Sequence, residues 1–147
     1  MIYLLDTDTL IALARGFKAG AKPRRSVERA RRMRERSRQI QREGHEIGLS
    51  SMNVAELEYG ARCSGRYVEE MSAIHRVLRP FKLYPWDPVH GPWHYGKIRF
   101  ELESMGLTIG NMDLLIAAHA LGLHAKLVTN NLAHFERVAG LELENWS

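Results

Sequence analysis

Asp6 and Asp8, in the stretch LLDTDTL, follow an apolar run directly, and each is followed by a threonine. Carboxylates so placed can hold a divalent cation, attack a phosphate, or cap the helix that follows. Glu56 lies in SSMNVAELEYGA, flanked by Val54, Ala55 and Leu57, and so sits near an apolar face. Asp113 falls in the first helical turn of IGNMDLLIAAHAL, where the helix N-terminus favours its charged form and should keep it ionised. Three such carboxylates gathered in one pocket repel each other, and a hard cation such as Mg²⁺ or Mn²⁺ relieves that repulsion. A cation held this way can position and deprotonate water for in-line attack on a phosphodiester. Each residue also has a plainer role: Asp6 as a helix cap, Asp113 as a complement to the helix dipole, Glu56 as a partly solvated helix residue. Spacing alone leaves both readings open.

The elements that must position these residues can be read along the chain. IYLL (2–5) reads as a short buried strand, followed by a helix from about Asp8 to Ala14, with Gly16 and Gly20 breaking the pattern. Pro23 suits a first helical turn, and the helix it opens runs to Gly44, a plausible C′ stop, with Val27, Ala30, Met33 and Ile40 as a narrow apolar stripe. EIGLS (46–50) is a second strand, and Ser51 caps a helix through about Arg62. A helix over 66–78 and a strand at FKLYP (81–85) follow. Asp87-Pro88 starts a helix to about Met105, and Gly106 and Gly110 bracket a turn. Asn111 then caps an apolar helix, AKLVT (125–129) is a fourth strand, and 141–146 supplies a final short one. Alternating strands and helices argue for a parallel sheet covered on both faces, with ligands bound beyond the strand C-termini. Asp6 and the pair Asn130-Asn131 fall at such ends, and they meet only if their strands are near neighbours.

Composition bounds the class. The chain has 147 residues, enough for one domain with a genuine core, and its 45% hydrophobic and 26% charged content is ordinary for a soluble globular protein. The single cysteine, Cys63, excludes an internal disulfide framework and a cysteine-rich zinc site. No apolar run reaches membrane-spanning length, and Asp6 and Asp8 interrupt the one candidate signal segment, so a soluble, cytoplasmic protein is expected. Charge is concentrated: residues 22–43 hold ten Lys/Arg and three Glu, a net of +7, in a chain whose net charge is +4. That exceeds what solubility requires and suits the phosphates of a nucleic acid.

Four strings resemble the PIN-domain ribonucleases, specifically the VapC-type toxins of bacterial toxin–antitoxin pairs: LLDTDTLI, SSMNVAELEYGA, YGKIRFELESMGLTIGNMDLLIAAHAL and LVTNNLAHFERVAGLELENW. The resemblance covers nearly the whole chain apart from roughly 17–45, and the C-terminal half is its most specific part. It implies a three-layer α/β/α PIN domain over 1–147 with a central, mainly parallel sheet and a basic helical insertion at about 22–43. It also implies an Mg²⁺- or Mn²⁺-dependent endoribonuclease toxin that cuts structured RNA and inhibits translation, a homodimer, and a VapB-type antitoxin whose tail blocks the site. Asp6, Glu56 and Asp113 fall on the family's metal-binding acidic positions, and Asn131 falls on a fourth polar position where many members have aspartate. Asp6 and Asp113 are then expected to hold the metal, with Glu56 as ligand or as base for the attacking water. Asn131 would orient a metal-bound water or the scissile phosphate. The family's usual Asp-Thr-Asn has Asp8 in place of Asn, which is read as a cap, and Glu136 is read as a surface residue. The ending TNNLAHFERVAGLELENWS is most similar to members that cut initiator transfer RNA.

Two rival readings stand beside this one. DTDTL suggests haloacid-dehalogenase-type phosphatases, whose first motif is Asp-x-Asp-x-Thr, but Leu10 occupies the threonine position and no late acidic pair follows Asp113. A non-catalytic nucleic-acid-binding protein would use the basic helix alone, although no heptad zipper follows it. In a nuclease the same helix would grip RNA through Arg31, Arg32, Arg34 and Arg38, or else contact acidic residues of an antitoxin. His90 and His94 have zinc-pair spacing, but Gly91 and Pro92 between them make a regular helix doubtful. His119 reads as a hydrogen-bonded core residue, and Trp86, Trp93 and Tyr95 as packing or dimer contacts.

Overall fold

A computed structural model describes residues 1–16 and 24–147. The expectations resting on Gly20 and Pro23 fall outside those residues. Among the described residues, five strands form one sheet in the order β3-β2-β1-β4-β5: β1 (Ile2–Leu5), β2 (Glu46–Ser50), β3 (Lys82–Tyr84), β4 (Lys126–Val128) and β5 (Leu143–Glu144). Every pairing is parallel, so all C-terminal ends share one edge. β1 is central, with Tyr3 opposite Ile47 on one side and Lys126 on the other. It is therefore the immediate neighbour of β4, the condition that brings Asp6 to the Asn130-Asn131 turn.

Period-two alternation divides the sheet faces. Tyr3, Leu5, Ile47, Leu49 and Val128 pack with α1 (Thr7–Arg15), α2 (Arg24–Arg42), α3 (Ser51–Cys63) and α4 (Tyr67–Leu78). Leu4 and Leu127 point the other way, into α5 (His90–Ser104), α6 (Asn111–Gly122) and the short α7 (Leu132–Phe135). The result is the expected three-layer α/β/α arrangement.

Several helix ends differ from the sequence reading. Ser50, not Ser51, caps α3: its hydroxyl accepts the Met52 N–H at 3.0 Å while the Asn53 side chain accepts the Ser50 N–H at 2.8 Å. The Ser51 hydroxyl instead accepts the Trp86 N–H at 2.8 Å, tying α3 to the segment after β3. α6 starts on Gly110 with no side-chain cap, so Asn111 is its first helical residue rather than its cap. α5 is regular through His90 and His94, because Pro92 falls in the first turn, where no intrahelical N–H bond is lost. Asp87 sets that start, accepting the Val89 and His90 N–H groups at 2.9 Å.

The basic helix ends as expected. Gly44 has φ +87°, its N–H reaches the Gln41 carbonyl at 3.0 Å and the His45 N–H reaches Ile40 at 3.2 Å, a Schellman pair. Its buried stripe is Ala30, Met33, Ser37 and Ile40; Val27 is 41% exposed, so Ser37 replaces it on the packed face. Ser37 is tolerated there because its hydroxyl donates to the Arg34 carbonyl at 2.8 Å.

Candidate active site

The site begins where β1 stops. Asp6 follows the buried run Tyr3-Leu4-Leu5, and its N–H donates to the Val128 carbonyl of β4 at 3.0 Å. Its Oδ1 accepts the Thr9 N–H at 2.8 Å, capping α1, while the Thr9 hydroxyl donates to the Val128 carbonyl at 3.2 Å. The cap is therefore Asp6, not Asp8. Asp8 lies in the first turn of α1, exposed, with its charge toward the same cleft as Asp6. Its separation from the cap position follows from register: Asp6 is the last extended residue and Asp8 is already helical.

A cleft of about 230 Å³ is lined by Asp6, Thr7, Asp8, Ile11, Glu56, Asp113, Asn131 and Phe135. Four sequence-predicted residues, from four separate elements or turns, thus share one cavity at the strand C-terminal edge: Asp6, Glu56, Asp113 and Asn131. Burial pushes the carboxyl of Asp6 above its ordinary range, outweighing hydrogen bonds to Thr129 and Thr9. Glu56 is raised by burial first and then, against a hydrogen bond from Thr7, by the charges of Asp113, Asp8 and Asp6. Asp113 is also raised, by burial first and by Asp8, against the opposing pull of His134. The helix N-terminus favours the charged form of Asp113, while loss of water around the carboxylate acts against it.

Hydrogen bonds fix the carboxylates. The Thr7 hydroxyl donates to Glu56 Oε1 at 2.5 Å, and Asp113 Oδ2 pairs with His134 Nε2 at 3.1 Å. Thr129 links Asn131 to Asp6: its Oγ1 accepts the Asn131 N–H at 3.0 Å, and its hydroxyl bonds to the Asp6 carboxylate. Asn53, Thr129 and His134 were not singled out in the sequence. The available signals were weak: Asn53 lies three residues before Glu56, Thr129 directly precedes the Asn pair, and His134 lies one helical turn beyond Asn131.

The donor set fits a hard divalent cation, being carboxylate and amide oxygens, with Glu56 raised by burial and by the charges of Asp113, Asp8 and Asp6. As posed, among the described residues, no three His, Cys, Asp or Glu side chains converge on one point. Thr7 holds Glu56 through Oε1 and His134 holds Asp113 through Oδ2.

The other candidates lie elsewhere. Arg31, Arg32 and Arg38 are exposed on α2, and Arg34 is half-buried. None lines the cleft; Arg34 and Arg38 border a separate groove with Leu13, Arg76, Val77 and Phe81. Glu136 is exposed and outside the cleft. His119 is a core residue, its Nδ1 2.8 Å from Ser50 Oγ and its ring edge-on to Trp86. Trp86 packs inside, whereas Trp93 is 63% exposed. Among the described residues, no helix is long and apolar enough to cross a membrane.

The family model described as PIN domain matches residues 3–141. The chain belongs to that family. Ribonuclease VapC1 of Haemophilus influenzae strain R2866 is 34% identical over 148 residues, covering 100% of this chain and 99% of its own. The tRNA(fMet)-specific endonuclease VapC of Shigella flexneri is 36% identical over 99 residues, 67% of this chain and 74% of its own. Among solved structures, VapBC2 from Rickettsia felis, bound to a DNA fragment from its promoter, superposes with a TM-score of 0.82 at 33% identity, covering 100% of both chains. Within the PIN family the chain thus sits with the VapC ribonucleases, and the phosphatase reading of DTDTL is set aside.

Proposed function

We propose that this PIN-domain chain is an Mg²⁺- or Mn²⁺-dependent endoribonuclease toxin. The observation that carries the reading is the convergence of Asp6, Glu56, Asp113 and Asn131 on one cleft at the sheet edge where parallel α/β folds bind ligands. Asp6 and Asp113 would hold the cation, with Glu56 as a further ligand or as base, and Asn131 would orient water or the scissile phosphate. The cation, when bound, supplies an acidified water and neutralises charge on the phosphate. The chain's own residues do the rest: α1 and the β4 turn fix Asp6 and Asn131, and the Thr7 hydroxyl donates to Glu56 Oε1.

Structured RNA is the proposed substrate, with initiator transfer RNA as its first candidate because of the Shigella relative, and arrest of translation as the consequence. A VapB-type antitoxin is the proposed partner, supported by the likeness to the Rickettsia VapBC2 assembly. A homodimer, a cytoplasmic location and a single domain over 1–147 with α2 as its basic insertion complete the reading. End-mapping of cellular RNA after expression of wild type and Asp6→Asn tests it. One cut site in wild type and none in the variant is expected; the same cut in both overturns it.

α2 supplies the proposed RNA grip. Arg31, Arg32 and Arg38 are exposed, so changing all three to Gln should lower the slope of log affinity against log salt by about three. Arg34 is a weaker candidate, because it is half-buried beside Gly16, where an added Cβ would lie 3.3 Å from its Nη1. An unchanged salt slope in the triple variant would assign the helix to another partner.

A further inference from the structure

We infer that Asn53 is a positioning residue for the proposed cleavage, acting through Thr7 to aim Glu56 in the cleft. The inference rests on the nuclease reading of that cleft. Asn53 is fully buried at the start of α3, one turn before Glu56. Its carboxamide is oriented without ambiguity. The Ser50 N–H can only donate, so the group 2.8 Å away must be Asn53 Oδ1. The other end is then Nδ2, which can only donate, and it meets Thr7 Oγ1 at 3.0 Å. With that lone pair filled, the single Thr7 proton goes to Glu56 Oε1, 2.5 Å away.

A one-way chain of donors therefore runs from the Ser50 amide through Asn53 and Thr7 to the carboxylate. Its origin is rigid: Ser50 is buried at the end of β2, and its hydroxyl is held by His119 Nδ1 at 2.8 Å. The chain also joins the two junctions that carry the acidic residues, β1–α1 with Asp6 and β2–α3 with Glu56. One Glu56 oxygen is taken, which limits rotation of the carboxylate and leaves Oε2 for a cation or an attacking water. An apolar residue at Asn53 would satisfy neither the Ser50 amide nor Thr7.

Partners that orient metal-site ligands typically cost about 10–100-fold in affinity or activity when changed. Thr7→Val, close in shape but without the proton, should lower kcat about 10–100-fold on the mapped RNA with KM unchanged, and weaken Mn²⁺ binding, titrated with the metal alone, about tenfold. Thr7→Ser restores the hydroxyl and should recover kcat to within about threefold of wild type. Asn53→Asp keeps the shape and still accepts the Ser50 N–H, but it takes the Thr7 proton for itself and releases Glu56. Its kcat should fall as in Thr7→Val, and the double variant should fall no further, because both changes break the same link. Unchanged kcat and Mn²⁺ affinity in Thr7→Val and Asn53→Asp, a Thr7→Ser as poor as Thr7→Val, or additive losses in the double variant would each overturn the inference. Asp6→Asn is assayed alongside. Loss of cleavage there with normal Thr7→Val and Asn53→Asp rejects the relay alone, and retained cleavage there rejects the site and the relay together.

Discussion

Asp6 and Asp113 both stand at the start of a helix facing the same cleft, yet the chain holds them by different means. Asp6 is fixed locally: it ends a buried strand, caps α1 through the Thr9 N–H at 2.8 Å, and is 5% exposed. Asp113 lies inside an uncapped first turn, is half-buried, and is held from α7 by His134 at 3.1 Å. One carboxylate is part of the backbone's own helix start, and the other is a side chain steered by a tertiary contact. The difference teaches that a shared pocket does not imply a shared structural duty: changing Asp6 disturbs a helix, while changing Asp113 disturbs only the cleft.

The largest expected effect does not separate them. Asp6→Asn and Asp113→Asn should each lower RNA cleavage by about a thousandfold or more, since each removes a charge toward a cation worth several kcal/mol of transition-state stabilisation. Asn caps a helix about as well as Asp, so Asp6→Asn should keep the wild-type melting temperature. If either variant cleaves at near wild-type rate, that carboxylate is not a ligand.

Metal addition comes next. Burial and the charges of Asp113, Asp8 and Asp6 raise Glu56, so a bound cation should stabilise the fold. Mg²⁺ or Mn²⁺ at about a hundredfold over its dissociation constant should raise the melting temperature by about 5–10 °C, and chelation should reverse it. In Asp6→Asn and in Asp113→Asn the shift should shrink sharply. A full shift in both would place the cation elsewhere.

Alanine at the two positions sharpens the contrast directly. Asp6→Ala loses the cap and should cost about 1 kcal/mol, about 3 °C in melting temperature. Asp113→Ala removes repulsion and no cap, so its melting temperature should stay at or slightly above wild type. Equal losses would mean that Asp113 is as deeply built into the fold as Asp6.

The smallest effect concerns a third helix start. Asp87 also accepts backbone N–H groups, on a side chain that is only partly buried. Its hydrogen bonds with the His90 and Val89 amides hold its carboxyl down to about 2, whereas burial drives Asp6 up. A lowered carboxyl stabilises the fold at pH above its unfolded value of 3.8, and that stability is lost as pH falls toward 2. The melting advantage of wild type over Asp87→Ala should be present at pH 6 and vanish between pH 4 and pH 2. A difference that persists at pH 2 would show that something other than the charged cap is lost.

Much of the architecture was legible because its signals are local. Short apolar runs ending at polar residues mark β1, β2 and β4, and Gly44 stops α2 where a left-handed residue is required. The cap assignments were less legible. Ser50 and Ser51, or Asp6 and Asp8, are equally good caps by type, and only the residue at which extended backbone becomes helical decides between them. Pro92 misled for a similar reason: it breaks a helix interior but not a first turn, and the true start at His90 is set by the Asp87 hydrogen bonds.

By itself the sequence determined that a parallel α/β chain carries carboxylates and amides at strand ends and helix starts, because those positions follow from local hydrophobic period and residue type. Only the tertiary structure decided that β1 lies between β2 and β4, which alone brings Asp6, Glu56 and Asn131 to one edge. It also decided that His134 steers Asp113 and that Asn53 directs the Thr7 proton to Glu56. Those contacts join residues 21, 46 and 49 positions apart, and hydrogen-bond direction over such separations is set by packing.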